Sequence, residues 1–269
     1  MGRIGLSRLY AGRSGPAGAA VADIPTLPRV IGHRGAMAYA PENTLAGTRE
    51  AATRGAAWVE FDVRLSADGV PVVIHDARLD RTTNGQGPVA GAGYDTIAGL
   101  DAGAWFAPEF AGEPVPRLGE VVRLAAELGL GINVELKPAR KRQQALCLAV
   151  LGVLAEDWPK RLPPVLLSSF ERKALAALRD LGSPWPSGLL VTSLPRNWPR
   201  QVAALGCLSV HAAHAKLSRA GVRAVKSRGL ALAAYTLDSP ARADELFAWG
   251  VDAVFSNAPD IVMAGIKAI

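Results

Sequence analysis

Ionisable side chains recur at the ends of short apolar runs in the first half of the chain. A run that ends in this way is typical of a strand that leaves the core and contributes to a site. Imidazole titrates near neutral pH, so two histidines can provide a general acid and a general base. The groups concerned are His33 and Arg34, Glu60 and Asp62, His75 and Asp76, and Glu135 and Lys137.

The spacing within these groups predicts a metal site. Glu60 and Asp62 are two residues apart, as are Glu135 and Lys137, and on a strand such pairs point to one face. Carboxylates that converge inside a protein need a compensating charge, because burying an unpaired ion is costly. We therefore predict one divalent cation held by Glu60, Asp62 and Glu135. Ligation by oxygen alone favours Mg²⁺ or Ca²⁺ over zinc, and Arg34 and Lys137 would hold a phosphate.

Each of these motifs alone has an ordinary explanation. "HRG" is a common turn, "EFD" before Asp68-Gly69 is common in a solvent-facing hairpin, and "ELK" is a common exposed alternation. The convergence of the motifs favours a site, because only two histidines occur in the first half of the chain and both lie at predicted strand ends.

Alternating strand and helix patterns indicate how these residues are brought together. Nine strand candidates begin at residue 29 and end at residue 257, and helical patterns separate most of them, which is typical of parallel β/α units. The exception is the short gap before residue 70, where Asp68-Gly69 predicts a hairpin. Residues paired across it should sum to about 135, so that Glu60 faces His75. Eight parallel strands remain, which predicts one closed barrel over residues 29–269 with an insertion over residues 64–117 after its second strand.

Composition narrows the class of protein. The 269 residues carry a formal net charge of +6 without a long basic block, so we expect an anionic small molecule and no nucleic acid. Two separate cysteines in apolar segments indicate a reducing compartment. Residues 1–28 lack the apolar run of a secretory signal and are predicted to be a disordered extension. No apolar run reaches about 20 residues, so we expect a cytoplasmic protein without stable membrane association. The oligomeric state stays open.

Six segments give the chain a close resemblance to the glycerophosphodiester phosphodiesterase family. They are "HRGAMAYAPENTLAG", "VEFDVRLSADGVPVVIHDARLDRTTNGQG", "NVELKP", "LLSSFE", "AAYTLD" and "GVDAVFSNAPD", and they follow the family order. The resemblance implies a TIM (β/α)8 barrel of the phospholipase-C-like phosphodiesterase type. It also implies a metal-dependent hydrolase of glycerol and lipid metabolism that converts glycerophosphodiesters to sn-glycerol 3-phosphate and an alcohol.

The resemblance assigns roles to individual residues. His33 and His75 become the acid–base pair, with either water or a glycerol hydroxyl as the nucleophile, and Glu42 becomes an accessory group near His33. Glu60, Asp62 and Glu135 become the metal ligands, and Arg34 and Lys137 the phosphate contacts. Phe170 and Tyr235 are candidates for the wall around the leaving alcohol, and His211 for the glycerol end, although its position favours a structural role.

The chain departs from the family at two of these segments. Tyr235 lies in a segment where the family often has Trp and Asn, and Asn257 replaces a frequent Asp. We expect neither residue to touch the catalytic set.

Two other functions fit parts of the pattern. A phospholipase that acts on lysophospholipids or phosphatidylinositol could use a similar histidine pair, with "AWFAPEF" at residues 104–110 as a membrane contact. A binding protein that has lost catalysis should also have lost some of the two histidines and three carboxylates. All five are present, which argues against this function. The sequence does not indicate which alcohol group the enzyme prefers or whether it binds Mg²⁺ or Ca²⁺.

Overall fold

The computed structural model describes residues 26–159, 162 and 165–267. Residues 1–25, most of the predicted disordered extension, lie outside this described part. The strands are β1 (Val30–Gly32), β2 (Trp58–Leu65), β3 (Pro71–Val73), β4 (Gly131–Leu136), β5 (Leu166–Ser169), β6 (Ser187–Val191), β7 (Ser209–Ala213), β8 (Ala231–Tyr235) and β9 (Ala253–Ser256). The α-helices are α1 (Leu45–Thr53), α2 (Tyr94–Ala98), α3 (Leu118–Glu127), α4 (Gln143–Asp157), α5 (Arg172–Asp180), α6 (Trp198–Leu205), α7 (Arg219–Lys226), α8 (Pro240–Trp249) and α9 (Pro259–Gly265).

Eight of the strands form a closed parallel barrel. Its order is β1-β9-β8-β7-β6-β5-β4-β2, and a parallel pairing of Gly32 with Val59 joins β1 to β2 and closes it. β3 is the additional strand and runs antiparallel to β2. The prediction of a TIM barrel is therefore confirmed. In such a barrel the carboxyl ends of all parallel strands meet on one face, which brings distant segments together.

Alternation along the strands separates the packed core from the barrel interior. On β4, Ile132, Val134 and Leu136 are buried in the main apolar cluster beneath the helices. Asn133 and Glu135 alternate with them and line the interior cavity. The interior is also filled by Trp58, and a Cβ on Gly131 would lie 2.2 Å from its ring. Glycine at this position therefore allows a large side chain to close the barrel beneath the polar residues.

The returning hairpin differs by one residue from the predicted register. Val63 pairs with Val73 and Leu65 with Pro71, so paired residues sum to 136 and not to 135. The cause is a three-residue loop: the backbone N–H of Ser66 donates to Val70 O, and Gly69 adopts φ +90°. Glu60 therefore does not face His75 directly.

The segment between β3 and α3 has a small apolar cluster of its own. Val72 and Ile74 of the hairpin pack with Ile97 of α2 and with other buried residues of this segment. The Glu113 carboxylate accepts a hydrogen bond from the backbone N–H of Ala46 at 2.9 Å. This contact joins the segment to the first turn of α1, beside the carboxyl ends of the barrel strands. No helix among the described residues is long and apolar enough to cross a membrane.

Candidate active site

A cavity of about 320 Å³ lies at the carboxyl ends of the barrel strands. Asp62 and Glu42 are buried behind this cavity, where they contact residues of its wall. The structure thus places the sequence-predicted residues in one region, although they come from segments that are far apart in the sequence. Those that line the cavity are His33, Arg34, Glu60, His75, Glu135, Lys137, Phe170, His211 and Tyr235.

Three buried carboxylates form an acidic centre beside the cavity. Asp62 and Glu135 are neighbours in the register of β2 and β4, and Glu60 precedes Asp62 on the same face. One oxygen of each residue lies within 4.8 Å of the others. Glu60 Oε1 is buried and has no hydrogen-bond partner among the described residues. An unpartnered oxygen in a group of three carboxylates fits a divalent cation with oxygen ligands.

The proximity of these carboxylates is reflected in their protonation. Burial, followed by the charges of Asp62 and Glu135, raises the pKa of Glu60 well above its usual range. Burial and the charge of Asp62 raise the pKa of Glu135 to about 7. Burial also acts on Asp62, but the charges of Lys137 and Arg34 outweigh it and lower the pKa of Asp62. The centre therefore binds protons readily unless a cation neutralises it.

Two cationic side chains border the acidic centre. Lys137 Nζ lies 2.6 Å from Glu135 Oε1 and 3.3 Å from Asp62 Oδ1. Arg34 Nη1 donates to Glu42 Oε1 at 2.8 Å, and Arg34 Nε lies 3.3 Å from Asp62 Oδ2. Both side chains also line the cavity. Each can therefore place positive charge beside an anion bound there.

The chain makes a sharp turn directly after β1. Arg34 has φ +50° and Gly35 has φ +89°. The backbone N–H of Arg34 donates to Glu60 Oε2 at 3.0 Å. A side chain at Gly35 would collide with the backbone of Gly47, because a Cβ there would lie 2.5 Å from Gly47 O. The local strain is thus tied to the placement of the Arg34 side chain beside the carboxylates.

Asn43 supports this turn and was missed by the sequence analysis. Its backbone has φ +60°, and its N–H donates to Arg34 O at 3.0 Å. Its side chain accepts from the Asp62 N–H at 3.0 Å and donates to Asp62 Oδ2 at 2.9 Å. The sequence signal that could have indicated its role is its residue type, because Asn tolerates the left-handed backbone conformation and here directly follows Glu42.

His33 is held by an amide. Its Nδ1 lies 2.7 Å from Asn257 Oδ1, and Asn257 Nδ2 donates to Asp238 Oδ2 at 2.9 Å. Because Asp238 orients the amide, the proton of His33 lies on Nδ1, and Nε2, 3.9 Å from Glu60 Oε2, keeps its lone pair. Burial, followed by the charge of Arg34, lowers the pKa of His33 to about 4. The expectation that Asn257 does not touch the catalytic set is therefore wrong, because the last strand returns beside β1 and brings Asn257 to His33.

His75 is held by a carboxylate. Its Nδ1 lies 2.6 Å from Asp76 Oδ1, and Arg81 Nε donates to Asp76 Oδ2 at 2.7 Å. Burial lowers the pKa of His75, while Asp62 and Asp76 act in the opposite direction. Arg81 also donates two hydrogen bonds to Glu42. Glu42, predicted only as an accessory group, thus joins Arg34 to the residues that orient His75.

An aromatic pair forms the opposite wall of the cavity. The rings of Phe170 and Tyr235 meet edge to face, with their centroids 5.8 Å apart. The Tyr235 hydroxyl donates to Val191 O at 2.9 Å, so its position is fixed by the end of β6, which lies two strands away in the barrel. His211 lies lower and has no solvent exposure, and its Nε2 is 3.1 Å from Ser209 Oγ. The structure thus brings Phe170 and Tyr235 to the mouth, whereas neither nitrogen of His211 is exposed.

Known proteins resemble this chain over most of its length. The profile of the glycerophosphoryl diester phosphodiesterase family matches residues 33–261. The chain belongs to this family. A glycerophosphodiester phosphodiesterase of Caldanaerobacter subterraneus is 31% identical over 236 residues, which covers 87% of this chain and 96% of the relative. A Bacillus subtilis glycerophosphodiester phosphodiesterase is 31% identical over 248 residues and covers 86% and 84% of the two chains.

Solved structures show the same similarity. A phosphodiesterase of Oleispira antarctica, whose structure contains the product sn-glycerol 3-phosphate, has a TM-score of 0.88 and 36% identity and covers 90% of this chain and 98% of that one. The chain described here is accordingly an enzyme, a glycerophosphodiester phosphodiesterase.

Proposed function

We propose that this phosphodiesterase hydrolyses glycerophosphodiesters to sn-glycerol 3-phosphate and an alcohol, with one divalent cation and two histidines. The observation that carries the proposal is the grouping of His33, His75, Arg34 and Lys137 around one cavity beside the acidic centre. The structural relative from Oleispira antarctica holds the same product. The requirement for Mg²⁺ or Ca²⁺ and the roles given to individual residues below are part of this proposal.

The two histidines differ in the partner of Nδ1, and this difference suggests their roles. His33 donates from Nδ1 to the neutral amide of Asn257, so its unprotonated Nε2 can accept a proton from the attacking hydroxyl. His75 has a carboxylate partner, Asp76, which stabilises the protonated ring. His33 therefore acts as the general base, and His75 protonates the departing alkoxide.

The substrate phosphate would bind between Arg34 and Lys137. Both are held by buried carboxylates, so their side chains are already oriented before substrate arrives. Preorganised cations stabilise negative charge at a reacting centre without reorganisation during the reaction. Glu60, Asp62 and Glu135 would hold the divalent cation. When bound, the cation supplies Lewis-acid stabilisation of the charge that grows on the phosphate oxygens.

A hydrolysis assay tests the proposal. Purified protein is incubated with glycerophosphocholine and, separately, with lysophosphatidylcholine, and released glycerol 3-phosphate and choline are measured. We expect hydrolysis of glycerophosphocholine alone, loss of activity in EDTA, and recovery when Mg²⁺ or Ca²⁺ is restored in excess. Faster release from lysophosphatidylcholine would favour the phospholipase function instead.

Two variants test the roles of the histidines. His33→Ala and His75→Ala should each abolish turnover, while calorimetric titration shows that the metal still binds. The exposed residue Glu127, replaced by Gln, is a control that should retain wild-type turnover. Turnover near the wild-type level in either histidine variant would contradict the acid–base assignment.

A further inference from the structure

A second, more open cavity of about 420 Å³ adjoins the catalytic cavity. The two share Phe170 and Leu190 in their walls. We call the second cavity the side groove and define it by Phe170, Glu171, Arg172, Thr192, Ser193 and Gln201. It lies where the chain leaves β5 and β6, both at the carboxyl face of the barrel. Because the two cavities adjoin, a substrate bound in the catalytic cavity can extend into the side groove.

Phe170 separates the two cavities and leaves much of its ring uncovered. It is 45% exposed, although it contacts Tyr235 edge to face and Lys137 Nζ lies over the ring, 5.9 Å from its centroid. The face of an aromatic ring attracts organic cations, and the attraction is strongest for groups such as quaternary ammonium that shed water easily. The boundary between the cavities is therefore an apolar surface suited to a positively charged organic group.

Glu171 adds a free negative charge to the same groove. Among the described residues its carboxylate makes no hydrogen bond or ion pair. Only its backbone is engaged: the N–H donates to Ser169 Oγ at 3.0 Å, and the carbonyl accepts from the N–H groups of Ala174 and Leu175. Arg172 also lines the groove, and its guanidinium makes no ion pair with any residue that the structure describes. The groove thus contains one unpaired charge of each sign on adjacent residues.

We propose that the side groove binds the alcohol part of the substrate and that Glu171 favours alcohols bearing an ammonium group. The inference rests on the proposed function, because it takes the phosphate to lie between Arg34 and Lys137. The glycerol phosphate part stays beside the histidines, while the alcohol passes Phe170. Glu171 then faces the ammonium group, and Arg172 opposes it.

Substitution of the two charges gives effects of opposite sign. We expect Glu171→Gln to lower kcat/KM about fivefold for glycerophosphocholine and glycerophosphoethanolamine, the effect of one unit charge about 4 Å away in watery surroundings. Arg172→Gln should raise kcat/KM for the same substrates. For glycerophosphoglycerol, whose alcohol is neutral, kcat/KM should change less in both variants, so the preference for the cationic substrates over glycerophosphoglycerol should fall in Glu171→Gln and rise in Arg172→Gln. The selectivity should weaken as salt is raised, because exposed charges are screened.

The outcome separates this inference from the proposed function. Equal changes for cationic and neutral substrates, or changes of the same sign in both variants, would overturn the role of Glu171 while leaving the hydrolysis itself established. Failure of the wild-type protein to cleave any of the three substrates would overturn the proposed function and this inference with it. Thermal melting of both variants checks that neither substitution alters folding.

Discussion

Replacing Glu135 by Gln should stabilise the metal-free protein, and the gain should grow as the pH rises. Burial and Asp62 raise the pKa of Glu135 from 4.5 to about 7 in the folded state. Between these two pH values the folded protein therefore binds more protons than the unfolded chain, and its free energy of unfolding falls as the pH rises. Gln resembles the protonated side chain at every pH, so the variant lacks this loss.

The size of the effect follows from the displacement of the pKa. A shift from 4.5 to about 7 corresponds to about 3 kcal/mol, at ~1.4 kcal/mol for each pH unit. Glu135→Gln should thus match wild type near pH 4.5 and exceed it by about 3 kcal/mol at pH 8 when metal is absent. Lys137, which lies 2.6 Å from Glu135 Oε1, loses its partner in the variant, and the pKa already includes this opposing attraction.

Urea unfolding in EDTA at a series of pH values measures this difference. The comparison between variant and wild type cancels the contributions of the histidines, because both proteins retain all four. Glu127→Gln, a carboxylate-to-amide change on the exposed face of α3, is the control and should follow wild type throughout. With excess Mg²⁺ or Ca²⁺ at pH 8, wild type should regain stability and the variant should gain less. A difference between variant and wild type that does not change with pH would refute the description of the acidic centre.

Two further predictions concern residues that position the histidines. Arg64 donates hydrogen bonds to His75 O at 2.8 Å and to Lys137 O at 3.2 Å. Arg64→Met should therefore lower kcat about tenfold. Arg64→Lys should not restore kcat, because Lys lacks the planar guanidinium that donates to both carbonyls at once. Asn257→Ala should lower kcat about tenfold and move the proton of the neutral His33 ring partly to Nε2. ¹⁵N spectra of the labelled histidines would show this, and an unchanged tautomer would contradict the role given to the amide.

The barrel and the charged ends of its early strands could be predicted from sequence because they follow from local pattern. Apolar runs of four to eight residues alternate with helical segments, and a parallel barrel brings the carboxyl ends of its strands to one face. The spacing of Glu60 and Asp62, and of Glu135 and Lys137, then sufficed to place four side chains on the inner face. The other predicted site residues could be grouped with these four because a closed barrel brings all strand ends to the same face.

The missed features depend on how distant segments meet. Asn257 is 224 residues from His33 in sequence, and only the pairing of β1 with β9 makes it the partner of Nδ1. The hairpin register depends on whether Ser66 belongs to the loop or pairs with Val70 as the last residue of the strand. The residue types of the turn do not decide between these two registers. Arg81 is part of an Asp- and Gly-rich loop, where its two carboxylate partners could not be recognised.

The charges of the site give an independent argument for a single divalent cation. Five carboxylates, those of Glu42, Glu60, Asp62, Asp76 and Glu135, are joined in one network with only three cationic side chains, those of Arg34, Arg81 and Lys137. The carboxylates still outnumber the cations when Arg64, whose charge also acts on Asp62, Asp76 and Glu135, is counted, and this excess of negative charge fits the raised pKa values of Glu60 and Glu135. One dication held by these two residues and Asp62 would offset this excess. The phosphodiester would then meet less repulsion in the site. Protons, the other means of neutralisation, would occupy the same carboxylates and compete with the metal as the pH falls.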